Sequence, residues 1–427
     1  KFQDGTPFNA DAVVKWLNRL LDPKDPHYYG NQQGIDSYVD FTFNGVTGYR
    51  AVDENTVEIM LKEPDATLLS NLAMVWSGVT SPAAVDQYGY DLPQHPVGTG
   101  PFSFVEWVPN DHITVKANPD YWGGAPYLDE IIFRIVPEPA TKLLMLQNGE
   151  IDIAADVAPE QVAAVKSDPS LQLLTQPGLT VLGVSLPVDH KPYDDVRVRK
   201  AFNYAIDKEA LNKYLFSDLS TVMRSPMPEV LWGFDDQLPP YTYDVDKAKQ
   251  LLGEAGHTSP MNLTLDVYPN PRGYNPAGGT RLGTALQEYF TAVGANVQLK
   301  QYEWGAFLAA ARDAKRADMA LTGWTGDNGD PDNFLYALHA TASIPSGNQS
   351  HYSNPAVDQL LVQARSVSDQ AQRTELYKQA QATIWDEAPW IWLNSTMQVR
   401  AASQRVQDFQ LNPTTMFFNM DKVWLSK

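Results

Sequence analysis

The sequence predicts an α/β protein, on two observations. A unit of helix, glycine and short strand recurs along the chain. The apolar runs are brief, bounded by Gly, Pro, Asn and Asp, and none approaches the roughly 18 residues of a membrane span. Asn9 stands where a helix N-cap belongs, and Ala12, Val13, Trp16, Leu17, Leu20 and Leu21 then recur at helical spacing until Asp22-Pro23 ends the run. Strands are expected over Thr56–Leu61, 113–117 and 131–136. A helix over 140–148 is closed by Gly149, and Ile151-Asp152-Ile153 begins a strand. Asp244 caps a helix over 245–255; Gly256 follows, and Leu263-Thr264-Leu265-Asp266-Val267 alternates as a strand. The same scheme recurs with a helix over 281–293, Gly294 and Val297-Gln298-Leu299. A fourth helix over 304–314 leads to a strand at Met319, and a last strand is expected over 390–394. Helices alternating with short strands place helices over the faces of a sheet.

The chain has 427 residues, enough for two or three domains. No Gly/Ser-rich linker separates them, so the chain is expected to cross between domains more than once. The charge is −19, with Lys and Arg scattered rather than gathered on one face. A general nucleic-acid binder needs a basic surface, so no nucleic-acid partner is expected, and the acidity reads as solubility. Without cysteine, disulfides, zinc thiolates and Cys nucleophiles are excluded. GxSxG, HExxH, Walker and GxGxxG patterns are missing, and the seven histidines show no metal-ligand spacing. No catalytic residue, metal site or cofactor is therefore expected. The chain opens on Lys1-Phe2-Gln3-Asp4-Gly5, which reads as a strand end running into a turn, and so as a processed form or a fragment.

One stretch stands out: Leu321-Thr322-Gly323-Trp324-Thr325-Gly326-Asp327-Asn328-Gly329-Asp330-Pro331-Asp332-Asn333. An apolar strand runs straight into a dense acidic turn. The spacing fails the EF-hand test, since position six from Asp327 is Asp332 and position twelve is His339. As a strand-to-helix turn, Gly329 to Asp332 are well chosen, with Asp332 a candidate cap for a helix starting near Asn333. Trp324 and Asp327 are less well explained that way. Ligands in open α/β sheets bind beyond the carboxyl ends of strands, where a Trp and an Asp supply an apolar wall and a charge for a cation. A basic counterpart lies upstream, in the Gly/Pro-rich loop from Arg272 to Arg281, where an Arg can hold a carboxylate bidentately.

Several segments together are similar to the extracellular solute-binding proteins that serve peptide ABC importers, in particular bacterial dipeptide-binding proteins. They are Asp4-Gly5-Thr6-Pro7-Phe8-Asn9-Ala10-Asp11, Pro96 to Phe102, Asn118-Pro119-Asp120-Tyr121-Trp122-Gly123, Asp194 to Ala201, Tyr302-Glu303-Trp304-Gly305 and Gly323 to Phe334. The resemblance implies two α/β lobes joined by hinge strands, a periplasmic-binding-protein-like clamshell with an extra domain grafted on lobe I. It places residues 1–95 in the grafted domain, 96–182 and 397–427 in lobe I, and 183–396 in lobe II. It also implies an N-terminal segment ahead of the Asp-Gly-Thr-Pro-Phe motif.

By the same resemblance, Asp327 pairs with a peptide ammonium beside Trp324, Thr325 and Gly326. An Arg near Tyr274-Asn275-Pro276 receives the carboxylate, with Arg281 as the match. The implied partners are a dipeptide or short peptide and the importer's membrane permease. The implied form is a monomer, in the periplasm or at the outer membrane face as a lipoprotein. Another solute, such as an oligopeptide, glutathione, haem, a nickel complex or an oligosaccharide, would shift weight to Trp304, Trp324 and Tyr274 as stacking surfaces. A peptidase is the remaining reading, and no nucleophile–base pair supports it.

Overall fold

A computed structural model describes residues 1–32, 35–258, 260–414 and 420–427. Its centre is a five-stranded mixed sheet in the order Ala295–Gln301, Met261–Val267, Met319–Thr325, Thr180–Ser185, Trp390–Trp392. The first three strands are parallel, and Thr180–Ser185 runs antiparallel to both of its neighbours. Parallel neighbours need crossovers. The helices Gly279–Ala292 and Trp304–Ala311 provide them, the first in the expected helix–glycine–strand order through Gly294 and the second leading to the strand at Met319.

The sheet is buried on both faces. Leu182 and Val184 face one core with Leu265, Leu286 and Phe290, while Val181 faces another with Phe334, Tyr377 and Trp390. Thr180–Ser185 is buried throughout. It shows no polar alternation because neither face meets water. At Gly183 a Cβ would lie 2.5 Å from the Ile391 carbonyl oxygen, so only glycine lets the strands close there.

Trp390–Trp392 is an edge strand, and an unpaired edge normally invites another chain. Here Asn203, wholly buried on the helix Val196–Tyr204, takes that place. Its amide donates to the Trp390 carbonyl at 2.9 Å, and its side-chain oxygen accepts from Trp392 N–H at 2.9 Å.

Two strands leave the sheet side by side. Leu171–Pro177 leads into Thr180, and Trp392 leads into Asn394–Ser403; these partners pair antiparallel from Met397↔Pro177 to Ser403↔Leu171. Strand Ile153–Ala154 extends this second sheet, and Ser220–Val222 pairs with its near end. The chain thus crosses twice between the two sheets, which gives a two-lobed α/β molecule with a hinge of paired strands. A three-stranded antiparallel meander over 102–134 lies on the second side. The N-terminal helix Ala10–Leu21 packs on the hairpin Val46–Asp53/Thr56–Leu61 around Trp16, Leu17 and Phe43. The Asn9 side chain caps that helix, accepting from Ala12 N–H at 3.0 Å.

Asn203→Leu keeps the side-chain volume but strands two backbone groups of the edge strand. Urea unfolding is expected to show a loss of about 2–4 kcal/mol, the cost of leaving two buried polar groups unpaired.

Candidate binding site at the carboxyl edge of the sheet

Strand direction decides where the sequence-selected residues meet. Met261–Val267 ends at Tyr268, Ala295–Gln301 leads to Trp304, and Met319–Thr325 leads to Asp327, all at one edge of the sheet. Both hinge strands enter at that edge too, because Thr180 pairs with Thr325.

The acidic turn is rigidly held. The Asn333 side-chain oxygen accepts from the Trp324 indole N–H at 2.9 Å and from Asp327 N–H at 3.1 Å. The Trp232 indole donates to the Gly329 carbonyl at 3.2 Å. Gly326 N–H donates to the Leu179 carbonyl at 2.6 Å, and a Cβ on Gly326 would come within 2.7 Å of the Phe334 ring. Glycine is therefore required there.

The three aspartates play different parts. Asp330 is buried and takes a bidentate pair of 2.8 Å bonds from Arg373, whose guanidinium also lies over Trp232 and Tyr377. Asp332 is not the helix cap that its position suggested. The helix runs Asp332–His339, and Asp332 lies in its first turn, fully buried, with Arg365 Nε 3.7 Å away. It is Asp330 whose carboxylate accepts the Asp332 N–H, at 3.0 Å. Burial pushes the Asp332 carboxyl up to about 7, with Arg365 pulling the other way.

Asp327 alone of the three lines a cavity of about 310 Å³. Ala73, Val75 and Trp76 of the N-terminal region, Leu179 at the hinge, and Pro413 close the other sides. Burial pushes the Asp327 carboxyl up to about 6, partly offset by the Asn333 amide. Among the described residues no basic side chain pairs with it. Asn328 donates to Asn71 at 2.7 Å, and Ala66 N–H donates to the Arg365 carbonyl at 2.7 Å. The N-terminal region therefore touches the acidic turn directly across the cavity mouth.

The basic loop is anchored on the same edge. Arg272 and Asn275 exchange backbone hydrogen bonds of 3.0 and 2.8 Å, and Asn275 is buried with its amide donating to the Tyr268 hydroxyl. The Tyr274 ring lies flat on Gly323, where a Cβ would be 2.2 Å from the ring. A Cβ on Gly273 would be 3.5 Å from Thr325 Oγ1, so this loop abuts the strand that carries Asp327. The Arg272 guanidinium lies 3.6 Å over the Trp304 ring, and its buried Nε has no hydrogen-bond partner.

Arg281 is placed differently. It sits on the third residue of the helix Gly279–Ala292, is exposed, and faces Glu160 of the opposite lobe at 3.5 Å. Thus Asp327, Trp324, Thr325, Gly326, Tyr274, Asn275 and Trp304 gather at one edge, whereas Arg281 spans the rim. Arg272 was visible only as the start of the basic loop; its stacking on Trp304 needs the fold. Asn333, also passed over, keeps Trp324 and Asp327 in place.

A half-buried carboxylate at a cavity between two hinged lobes, with a guanidinium loop on the same edge, defines a clamshell binding protein. The chain belongs to the bacterial extracellular solute-binding proteins, family 5, whose middle-region description matches residues 1–345. It is 33% identical over 423 residues to the dipeptide-binding protein of Escherichia coli strain K12, covering 97% of this chain and 78% of that one. It is likewise 33% identical over 419 residues to heme-binding protein A of Haemophilus influenzae, covering 97% and 76%. An ABC transporter-associated periplasmic binding protein from Helicobacter pylori, solved with the peptide STSA, superposes with a TM-score of 0.84 at 30% identity, covering 98% of this chain and 82% of that one. The family is one of solute-binding proteins rather than enzymes. Among the described residues no helix is long and apolar enough to cross a membrane.

Two stability outcomes follow from the turn. Arg373→Met leaves Asp330 buried without its partner and is expected to cost about 3–5 kcal/mol in urea melts. For Asp327, the folded carboxyl keeps its proton to about 6, whereas an unfolded one releases it near 3.9. The native state binds more protons between these values, so this group's contribution to stability falls as pH rises through that window. Ligand-free Asp327→Asn is therefore expected to exceed the parent by about 1–2 kcal/mol at pH 7.5, after discounting for solvent screening, and to converge with it near pH 4.

Proposed function

We propose that the chain is the substrate-binding component of a peptide ABC importer and captures dipeptides or short peptides between its lobes. The observation that carries this reading is Asp327: a half-buried carboxylate, unpaired with any base among the described residues, facing a cavity. Holding that charge away from water without a partner is unfavourable. A ligand ammonium removes the penalty.

The ligand carboxylate goes to Arg272. Its guanidinium stacks on Trp304 and keeps its buried Nε unused, and a carboxylate supplies the missing acceptor. Arg281, engaged with Glu160, is the competing candidate. Two residues span at most about 7 Å, so pairing at both ends selects length. The cavity of about 310 Å³ falls at the small end of ligand sites, which run from about 300 Å³. We divide the chain into 1–95 as the grafted domain, 96–182 with 397–427 as lobe I, and 183–396 as lobe II. The protein acts as a monomer in the periplasm, or on the outer membrane face as a lipoprotein, and delivers the ligand to a membrane permease.

Thermal melts with dialanine, N-acetyl-dialanine, dialanine amide and a tetrapeptide test this. Free dialanine at 100 times its Kd adds about 2.7 kcal/mol, and the two blocked peptides are expected to add nothing. Asp327→Asn and Arg272→Met each lose on the order of 3–5 kcal/mol of binding, while Arg281→Ala loses less than about 1 kcal/mol, as for an exposed rim pair. Equal stabilisation by the blocked peptides would overturn two-ended recognition. A large loss at Arg281 with none at Arg272 would reassign the carboxylate.

A further inference from the structure

The histidines, unremarkable in sequence, form a cluster in space. His190 and His351 are 161 positions apart in the chain, yet both ring Nδ1 atoms converge on one oxygen of Asp189. The distances to Asp189 Oδ1 are 2.8 Å from His190 and 3.0 Å from His351. The candidate ligand atoms of the three side chains all lie within 4.8 Å of one another. We propose that Asp189, His190 and His351 bind a divalent transition-metal ion of the zinc type, at a site separate from the peptide cleft.

The geometry carries this. Around a tetrahedral zinc ion with bonds of 2.0–2.2 Å to His nitrogen and carboxylate oxygen, neighbouring ligand atoms stand about 3.3 Å apart. The observed separations of 2.8 and 3.0 Å are shorter than that by about half an ångström or less, so the ligands need open only slightly around an ion. Two imidazoles and one carboxylate match the three protein ligands of an open zinc site, with the fourth position left to water. Access comes from the partly exposed His190 and Asp189, whose side chains are 34% and 48% accessible.

His351 is the fixed member. Its side chain is 4% accessible and its backbone is left-handed at φ 56°. Val188 N–H donates to the Ser350 carbonyl at 3.0 Å and locks the two loops together. The His351 Nε2 is buried and has no hydrogen-bond partner. Without an ion, the Asp189 carboxylate accepts from Nδ1–H; an ion would take that place, with the proton moving to Nε2 and the Nδ1 lone pair turned to the metal.

The charged surroundings are balanced. Arg316 is the cation that feels Asp189, but it also faces Asp266 and Asp318. Its two terminal nitrogens donate to the Asp318 carbonyl, the Ser185 hydroxyl and the Gln349 carbonyl, and none of these hydrogen bonds goes to Asp189.

The location is independent of the peptide site. Asp189 follows the Ser185 end of the strand Thr180–Ser185, whereas Asp327 lies beyond its Thr180 end. Six residues of strand put these ends about 17 Å apart. An ion here would tie the loop after that strand to the turn carrying His351, on the edge of the sheet away from the hinge.

The test uses the whole chain, stripped with chelator and titrated with Zn²⁺ in a calorimeter and in thermal melts. Co²⁺ serves as the spectroscopic probe. One ion per chain is expected, with a rise in melting temperature and the visible absorption of a low-coordinate Co²⁺ site. His190→Ala, at an accessible ring, should weaken binding at least tenfold and abolish the absorption. His351→Asn, which tolerates the left-handed backbone, should do the same while melting cooperatively without metal. Ligands must shed their protons, so binding should weaken as pH falls from 7.5 to 5.5. No saturable binding would overturn the proposal. So would binding of several ions that is indifferent to both variants, since that describes scattered surface carboxylates.

Discussion

Everything at the site depends on how the strand Thr180–Ser185 is paired. It runs against Met319–Thr325 on one side and Trp390–Trp392 on the other. This antiparallel insertion into an otherwise parallel sheet brings the hinge to the same edge as the strand ends that lead to Tyr268, Trp304 and Asp327. Had it run parallel, the crossings would emerge at the far edge, and lobe closure would not enclose Asp327. Burial on both faces and the close approach at Gly183 leave the strand no alternative register, since a slip of one residue would exchange its two core faces.

The acidic turn shows how a chain keeps one carboxylate available by committing two others. Buried charges are costly unless paired. Asp330 meets Arg373 in a bidentate pair and is compensated within the scaffold, whereas Asp332 has only Arg365 at 3.7 Å and its buried oxygens accept no hydrogen bond. The Asp330 pairing fixes the start of the helix Asp332–His339. That in turn positions Asn333, whose single oxygen holds both the Trp324 indole and the Asp327 backbone. Asp327 is therefore held in place, with its desolvation cost unrelieved by any base among the described residues.

The two arginines are held in different ways. Arg272 is carried on a loop braced by Asn275, Tyr274 and Tyr268, with its planar group stacked on Trp304. Such a group loses little freedom when a ligand binds. Arg281 is exposed and bridges to Glu160 across the lobes. A contact of that kind forms only when the lobes are together, and with solvent on both sides it adds little energy.

The sequence by itself determined the α/β class, the helix–glycine–strand units, the strand at Met319 and the singular character of the turn after it. These are local properties, written in periodicity, caps and turn residues, so they are legible without knowing what each segment touches. The resemblance spread along the chain supplied the clamshell and pointed to Asp327. Tertiary structure alone decided which polar residues are scaffold and which face the cavity. Asp330 and Asp332 look as available in sequence as Asp327, and differ only in the Arg373 and Arg365 that come from a distant helix pair. Arg272 and Arg281 are equally basic at the two ends of one Gly/Pro-rich stretch, and only the folded chain, with one stacked on Trp304 and the other exposed on a helix beside Glu160, tells them apart. The same holds for His190 and His351, whose separation of 161 positions hides them from any spacing rule until folding closes that distance. Long-range contacts of this kind are set by packing across the whole core, and no local pattern encodes them.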